Sequence, residues 1–214
     1  MMKARDRRIL FILVFTVLAF MWQSVLIAPL KILVVFLHEL SHALATWLTG
    51  GKVLEFVVSA YQSGHVRSMG GSRIIILSAG YLGSLLFGLL FYAASSRRQT
   101  TDISLALLAI TMLLVAVFFG GTLYTIGFAG VIAVAIMVLL KYASVGIKQT
   151  LLMVFASASM IYVPLDIWQD TIIHSGSLSD ARMLANEIGG ATFMWGGLWF
   201  VTSLYFIYLT LRRS

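Results

Sequence analysis

Apolar residues in this chain run in long unbroken blocks separated by short polar stretches. Neither the two-residue alternation of a half-buried strand nor a one-sided helical stripe governs them. About 20 residues of helix cross a bilayer core, so these blocks predict membrane spans. They fall at Ile9 to Ile27, Ile32 to Leu48, Ile74 to Ala94, Ile103 to Phe119, Thr122 to Leu140, Thr150 to Val163 and Phe193 to Leu211. The pattern predicts an all-α polytopic membrane protein with about seven transmembrane helices, or about six if the Gly120 to Gly121 break lies within one re-entrant or tilted segment. The basic start MMKARDRR before an apolar run is the pattern of a secretory signal. The run continues to Ile27 with no small-x-small cleavage site after it, so it reads as a retained span.

Two polar stretches interrupt the blocks. In the first, Lys52 to Arg73, the residues Val53 to Val58 and the Gly- and Ser-rich residues after them predict a short β-hairpin just beyond the second span. Such a strand pair satisfies its own backbone where it dips into the membrane and offers an edge to an extended substrate. The second runs from Asp166 to Gly190, and Pro164 marks its start. Gly80, Ser84 and Gly88 recur every fourth residue, a small-residue face expected to pack on the second span. No repeat or linker divides the chain, which reads as one transmembrane domain over residues 1–214.

Composition agrees: 60% of residues are hydrophobic, 11% are charged, and mean hydropathy is +0.98. The net charge of +7 comes from cations scattered between apolar runs. They act as topology signals facing a lipid bilayer, and they imply no nucleic-acid partner. Placing the amino-terminal tail, Lys52 to Arg73 and Arg182 on one face sets eight Lys and Arg against seven. The cluster Lys3, Arg5, Arg7 and Arg8 decides for a cytoplasmic amino terminus in the cell membrane, with the site nearer the cytoplasm. Cysteine is absent, so any metal must be held by His, Asp or Glu.

The second span supplies them. It reads VVFLHELSHALATWL from Val34, with His38, Glu39 and His42 inside an apolar helix. Residues four apart share a helix face, so His38 and His42 can bind one Zn²⁺ while Glu39 stands beside it as general base for a water made acidic by the metal. Burying three ionisable groups at mid-membrane costs at least about 2.5 kcal/mol each on insertion scales, which metal ligation offsets.

A third ligand is needed. Even numbers of crossings place Asp166 on the face where the zinc helix ends, just past Tyr162 to Leu165, and Asp102 on the other. His42 lies roughly 10 Å from the end of its helix, so the third ligand should sit at the membrane boundary. Asp166 meets this best. Asp170, one turn on, is the alternative ligand or the group that orients a ligand histidine. Asp180, Glu187 and Glu55 read as loop charges, Asp180 also as a helix N-cap, and His65 and His174 are the other two histidines.

HELSH from His38, IIILSAGYLGSLLFG after Gly70 and Gly71, DIWQD from Asp166, SDARMLA from Ser179 and WGGLW from Trp195 together resemble the M50B-like branch of the site-2 protease family of intramembrane metalloproteases. The resemblance implies a zinc enzyme that cleaves a transmembrane segment of a membrane-protein substrate, with His38 and His42 as ligands and Glu39 as general base. Its third ligand is the Asp of an LDG motif, whose first two positions Leu165 and Asp166 match. Ile167 stands in place of the glycine, no Asn-Pro element precedes it, and no PDZ-like insertion is present. Two other classes use the same residues: a catalytically silent membrane scaffold or chaperone, and an ion or metal transporter. Glu39 separates them, since only a hydrolase requires its carboxylate.

Overall fold

A computed structural model of the chain describes residues 4–173 and 178–213. His174 lies outside them. Ten elements follow in order: α1 (Ala4–Met21), α2 (Ala28–Leu48), β1 (Lys52–Val58), β2 (Gly64–Met69), α3 (Arg73–Ala94), α4 (Arg98–Phe118), α5 (Leu123–Tyr142), α6 (Val145–Trp168), α7 (Asp180–Ile188) and α8 (Thr192–Arg213). Among the described residues six helices are long and apolar enough to cross a membrane. The architecture is therefore all-α and polytopic, with one antiparallel hairpin where the valine run predicts it.

The expected first span is where sequence and structure part. The block Ile9 to Ile27 breaks at Trp22, Ser24 caps a single 3-10 turn at Val25–Ile27, and Pro29 opens α2. The apolar part of α1, Ile9 to Met21, is only about 20 Å long as a helix. That is short of a bilayer core of roughly 30 Å. Contacts show its direction. Arg7 lies over the Tyr92 ring at 4.8 Å and reaches the Tyr92 carbonyl, while Phe11 packs on the same ring at 4.4 Å. Tyr92 closes α3 at the end of the bundle far from the hairpin. The start of α1 therefore lies at the opposite end from Gly50, and α1 and α2 together carry the chain across once rather than twice.

α3 packs chiefly on α2 and α6, α4 pairs with α5, and α1 and α8 both lie against α6. The small-residue face of α3 is shared: Gly80 meets α2, while a side chain at Gly88 would strike Met160 and the Ala156 carbonyl of α6. α6 does not stop at Pro164. It runs through that residue and ends in a π turn, Gln169–Ile173.

The hairpin is tied down along one edge. Phe56 N–H donates to the Phe119 carbonyl at 2.8 Å, and Gly121 N–H donates to the Phe56 carbonyl at 3.0 Å. Val58 N–H donates to Thr125 Oγ1 at 3.0 Å. Gly120 and Gly121 thus form the predicted break between two spans. Because Phe56 spends its backbone groups on that side, Val57 turns its own toward His65, its partner in β2. Gly64 and Val66 therefore turn theirs outward. Among the described residues that outer edge makes no backbone hydrogen bond to another segment.

Candidate metal centre

α2 is buried almost continuously from Ile32 to Ala43, because α3, α6 and the hairpin surround it. His38 and His42 are 7% and 8% exposed and Glu39 6%. The predicted helix periodicity brings the two imidazoles together, with Nε2 atoms 3.1 Å apart.

The carboxylate that meets them is Asp180, the first residue of α7. Its Oδ2 lies 3.2 Å from His38 Nε2 and 3.2 Å from His42 Nε2. Expectation placed Asp166 or Asp170 here, and the structure places neither. Asp166 is absent from the wall of the cavity in front of the histidines. Asp170 lines that cavity, but its carboxylate accepts a short hydrogen bond from the Tyr81 hydroxyl. Nor does either acid orient His42, whose Nδ1 donates instead to the Ile76 carbonyl at 2.7 Å. Asp166 and Asp170 ride on the end of α6, whereas the carboxylate beside the histidines does not ride on a span. It comes from a short helix dipping into the cavity. Asp180 is not the N-cap either: Ser179 takes that role, accepting from Arg182 N–H, which leaves the next side chain free to point inward. The usable signal was polar Ser-Asp ahead of Ala181 and Leu184, both of which are buried.

Three observations bear on whether this set fits a cation. First, a carbonyl oxygen only accepts, so Nδ1 of His42 carries a proton and the ring turns its Nε2 toward the other two groups. Second, that Nε2 converges with His38 Nε2 and with the buried Asp180 Oδ2, three atoms of ligating type facing one point. Atoms of this kind held so close need a positive charge among them, which a metal ion or a proton supplies. Third, the separations of 3.1, 3.2 and 3.2 Å match the edges, about 3.3 Å, of a tetrahedron with metal–ligand bonds of about 2.0 Å. The three atoms thus fit one face of a tetrahedral divalent-metal site, with the fourth position open. Burial alone would push the Asp180 carboxyl up, but His42 and His38 outweigh it and hold that group below the ordinary carboxylate range.

Two glycines make room for this. A methyl group at Gly80 would lie 2.5 Å from His38 Nε2 and 2.6 Å from His42 Nε2. One at Gly64, where β2 begins, would lie 2.9 Å from Glu39 Oε1. The small residues of α3 and the hairpin are thus fitted to the chemistry, not merely to helix packing. Tyr81 and Tyr162 set their rings edge-on to His38, at 5.0 and 5.8 Å. In front lies a cavity of about 390 Å³, walled by α2, α3, α7 and the length of β2, that reaches the exposed hairpin turn at Gln62 and Ser63.

No curated protein and no solved structure matches the chain. Residues 11–210 match the family model described as Peptidase M50B-like, and the chain belongs to that family.

Proposed function

We propose that this member of the Peptidase M50B-like family is an intramembrane zinc metallopeptidase that hydrolyses a peptide bond in a transmembrane segment of another membrane protein. The observation that carries the reading is the buried triangle of His38 and His42, on a membrane helix with Glu39, and Asp180 of α7. Bound by these three residues, a zinc ion supplies Lewis-acid polarisation of a carbonyl and acidifies water to near neutrality.

The rest is done by the chain. Glu39 is held by its own helix and by the close approach of Gly64, so its carboxylate has one place to be. From there it takes a proton from the attacking water and later returns it to the departing amine. The Ile76 carbonyl fixes the tautomer of His42. A transmembrane helix must unwind before its carbonyl is reachable, and its freed backbone needs partners in an apolar setting. The outward N–H and C=O groups of Gly64 and Val66 supply them by strand addition, and Gly64 places that strand against Glu39. The turn at Gln62 and Ser63 admits water.

The test is cleavage of a reconstituted single-pass substrate together with metal content. Glu39→Gln is expected to keep one zinc per chain while turnover falls by about 10²–10⁴-fold, the range for a general base. Undiminished turnover in Glu39→Gln would contradict the reading. A scaffold or a transporter has no need of that carboxylate.

A further inference from the structure

We infer that the cavity opens on the non-cytoplasmic side of the membrane, so that the substrate is cut near its outer boundary. The opening in question is the mouth formed by the hairpin turn and α7. That this cavity is hydrolytic rests on the function proposed above; its orientation rests on separate observations.

The first is the position of α1. Arg7 and Phe11 contact Tyr92, so the basic start of α1 shares an end of the bundle with the α3–α4 connection. The second follows from tracing the chain. Lys148, at the start of α6, pairs with Asp102, near the start of α4, at 2.6 Å, which brings the α5–α6 turn to the same end. Trp168 near the end of α6 packs on Phe200 in the first half of α8, so α8 runs back and finishes there too. This end carries nine described Lys and Arg positions: three in α1, Arg97 and Arg98, Lys141 and Lys148, and the final pair of α8. The hairpin end carries four, Lys52, Arg67, Arg73 and Arg182, and Lys31 lies within the apolar length of α2.

Cations close to membrane spans are retained on the cytoplasmic side, and acidic neighbours count little in that rule. The pairing of Lys148 with Asp102 and of Arg73 with Glu187 therefore leaves the comparison unchanged. The eight-to-seven near-balance read from sequence came from placing the amino-terminal cluster beside the hairpin. Moving it to the end where α1 begins turns the balance into nine against four.

The absence of cysteine gives a clean test. Tyr61→Cys places a thiol in the hairpin turn, where Tyr61 is 91% exposed, and Gln99→Cys places one at the exposed start of α4. With a membrane-impermeant maleimide on intact bacteria, Tyr61→Cys is expected to label at least about tenfold more than Gln99→Cys, which labels fully only after permeabilisation. A green fluorescent protein fused after Ser214 gives a second reading and is expected to fluoresce. The reversed labelling pattern, equal labelling of both thiols, or a dark full-length fusion would overturn the orientation. None of these readouts depends on hydrolysis, so the orientation and the peptidase reading fail separately.

Discussion

The bundle buries charge at both ends, and the two clusters differ in what they leave unsatisfied. At the end where α1 begins, Lys148 is 4% exposed; its ammonium meets Asp102 at 2.6 Å and donates to the Leu140 carbonyl at 3.5 Å, and Arg98 lies 3.7 Å from the same aspartate. Cation and anion cancel within the protein. At the hairpin end one carboxylate faces two imidazoles, with three ligating atoms 3.1 to 3.2 Å apart. In the first cluster the Lys148 ammonium pairs with Asp102 Oδ1 and joins α4 to α6. Among the described residues the second carries no lysine or arginine and has the donor set of a site for a cation from outside. Burial of polar groups alone therefore says little about function, whereas ligating atoms that converge on one point beside a cavity say a good deal.

Substitutions that break one cluster should leave the other intact. The largest effect is expected for Asp180→Ala. Sharing the roughly 10–16 kcal/mol of a structural zinc site among four ligands gives about 2.5–4 kcal/mol for one, so zinc affinity measured by competition with a chelator should fall by about 10²–10³-fold. At the other end, Lys148→Met leaves Asp102 without its closest cation. The loss of stability in thermal unfolding should be about 3–5 kcal/mol, discounted toward the lower figure because Asp102 is 31% exposed, with zinc content unchanged. If Lys148→Met also lost the metal, the two ends would not be independent.

Gly80→Ala sharpens the comparison differently, because it adds volume rather than removing charge. Its methyl group falls among the two Nε2 atoms, so zinc affinity should drop by about 10–100-fold, the range for disturbing a ligand's surroundings, while the chain stays folded. The smallest effect is expected for Tyr81→Phe, which removes the hydrogen bond to Asp170 and keeps the ring against His38. A stability loss of about 1–3 kcal/mol with the metal retained is expected in the same unfolding assay.

Much of this was legible in the chain because lipid imposes simple rules. Span length and apolarity locate the helices α2 to α6 and α8, glycines mark the α4–α5 break, and valines mark the hairpin. The four-residue spacing of His38 and His42 guarantees a shared face once the helix exists. What stayed hidden depends on tertiary contacts. Nothing local distinguishes an apolar run that crosses from one that turns back at Trp22, and the Arg7–Tyr92 contact joins residues 85 positions apart. The third carboxylate was missed for a related reason. Asp180 follows a serine in a polar stretch that resembles an exposed loop, and its burial depends on α7 docking between α3 and α8. Asp166 and Asp170 satisfied the boundary argument equally well, but one lies off the cavity wall and the other is engaged by Tyr81.

The most direct test of the account is the zinc content of the purified chain beside its Asp180→Asn and Asp166→Asn variants, each checked for folding by thermal unfolding. The account predicts one zinc per chain in the parent and in Asp166→Asn, and almost none in Asp180→Asn. A parent that folds without metal, with His42 protonated and simply paired to Asp180, would contradict it, as would a metal that leaves with Asp166 and stays without Asp180.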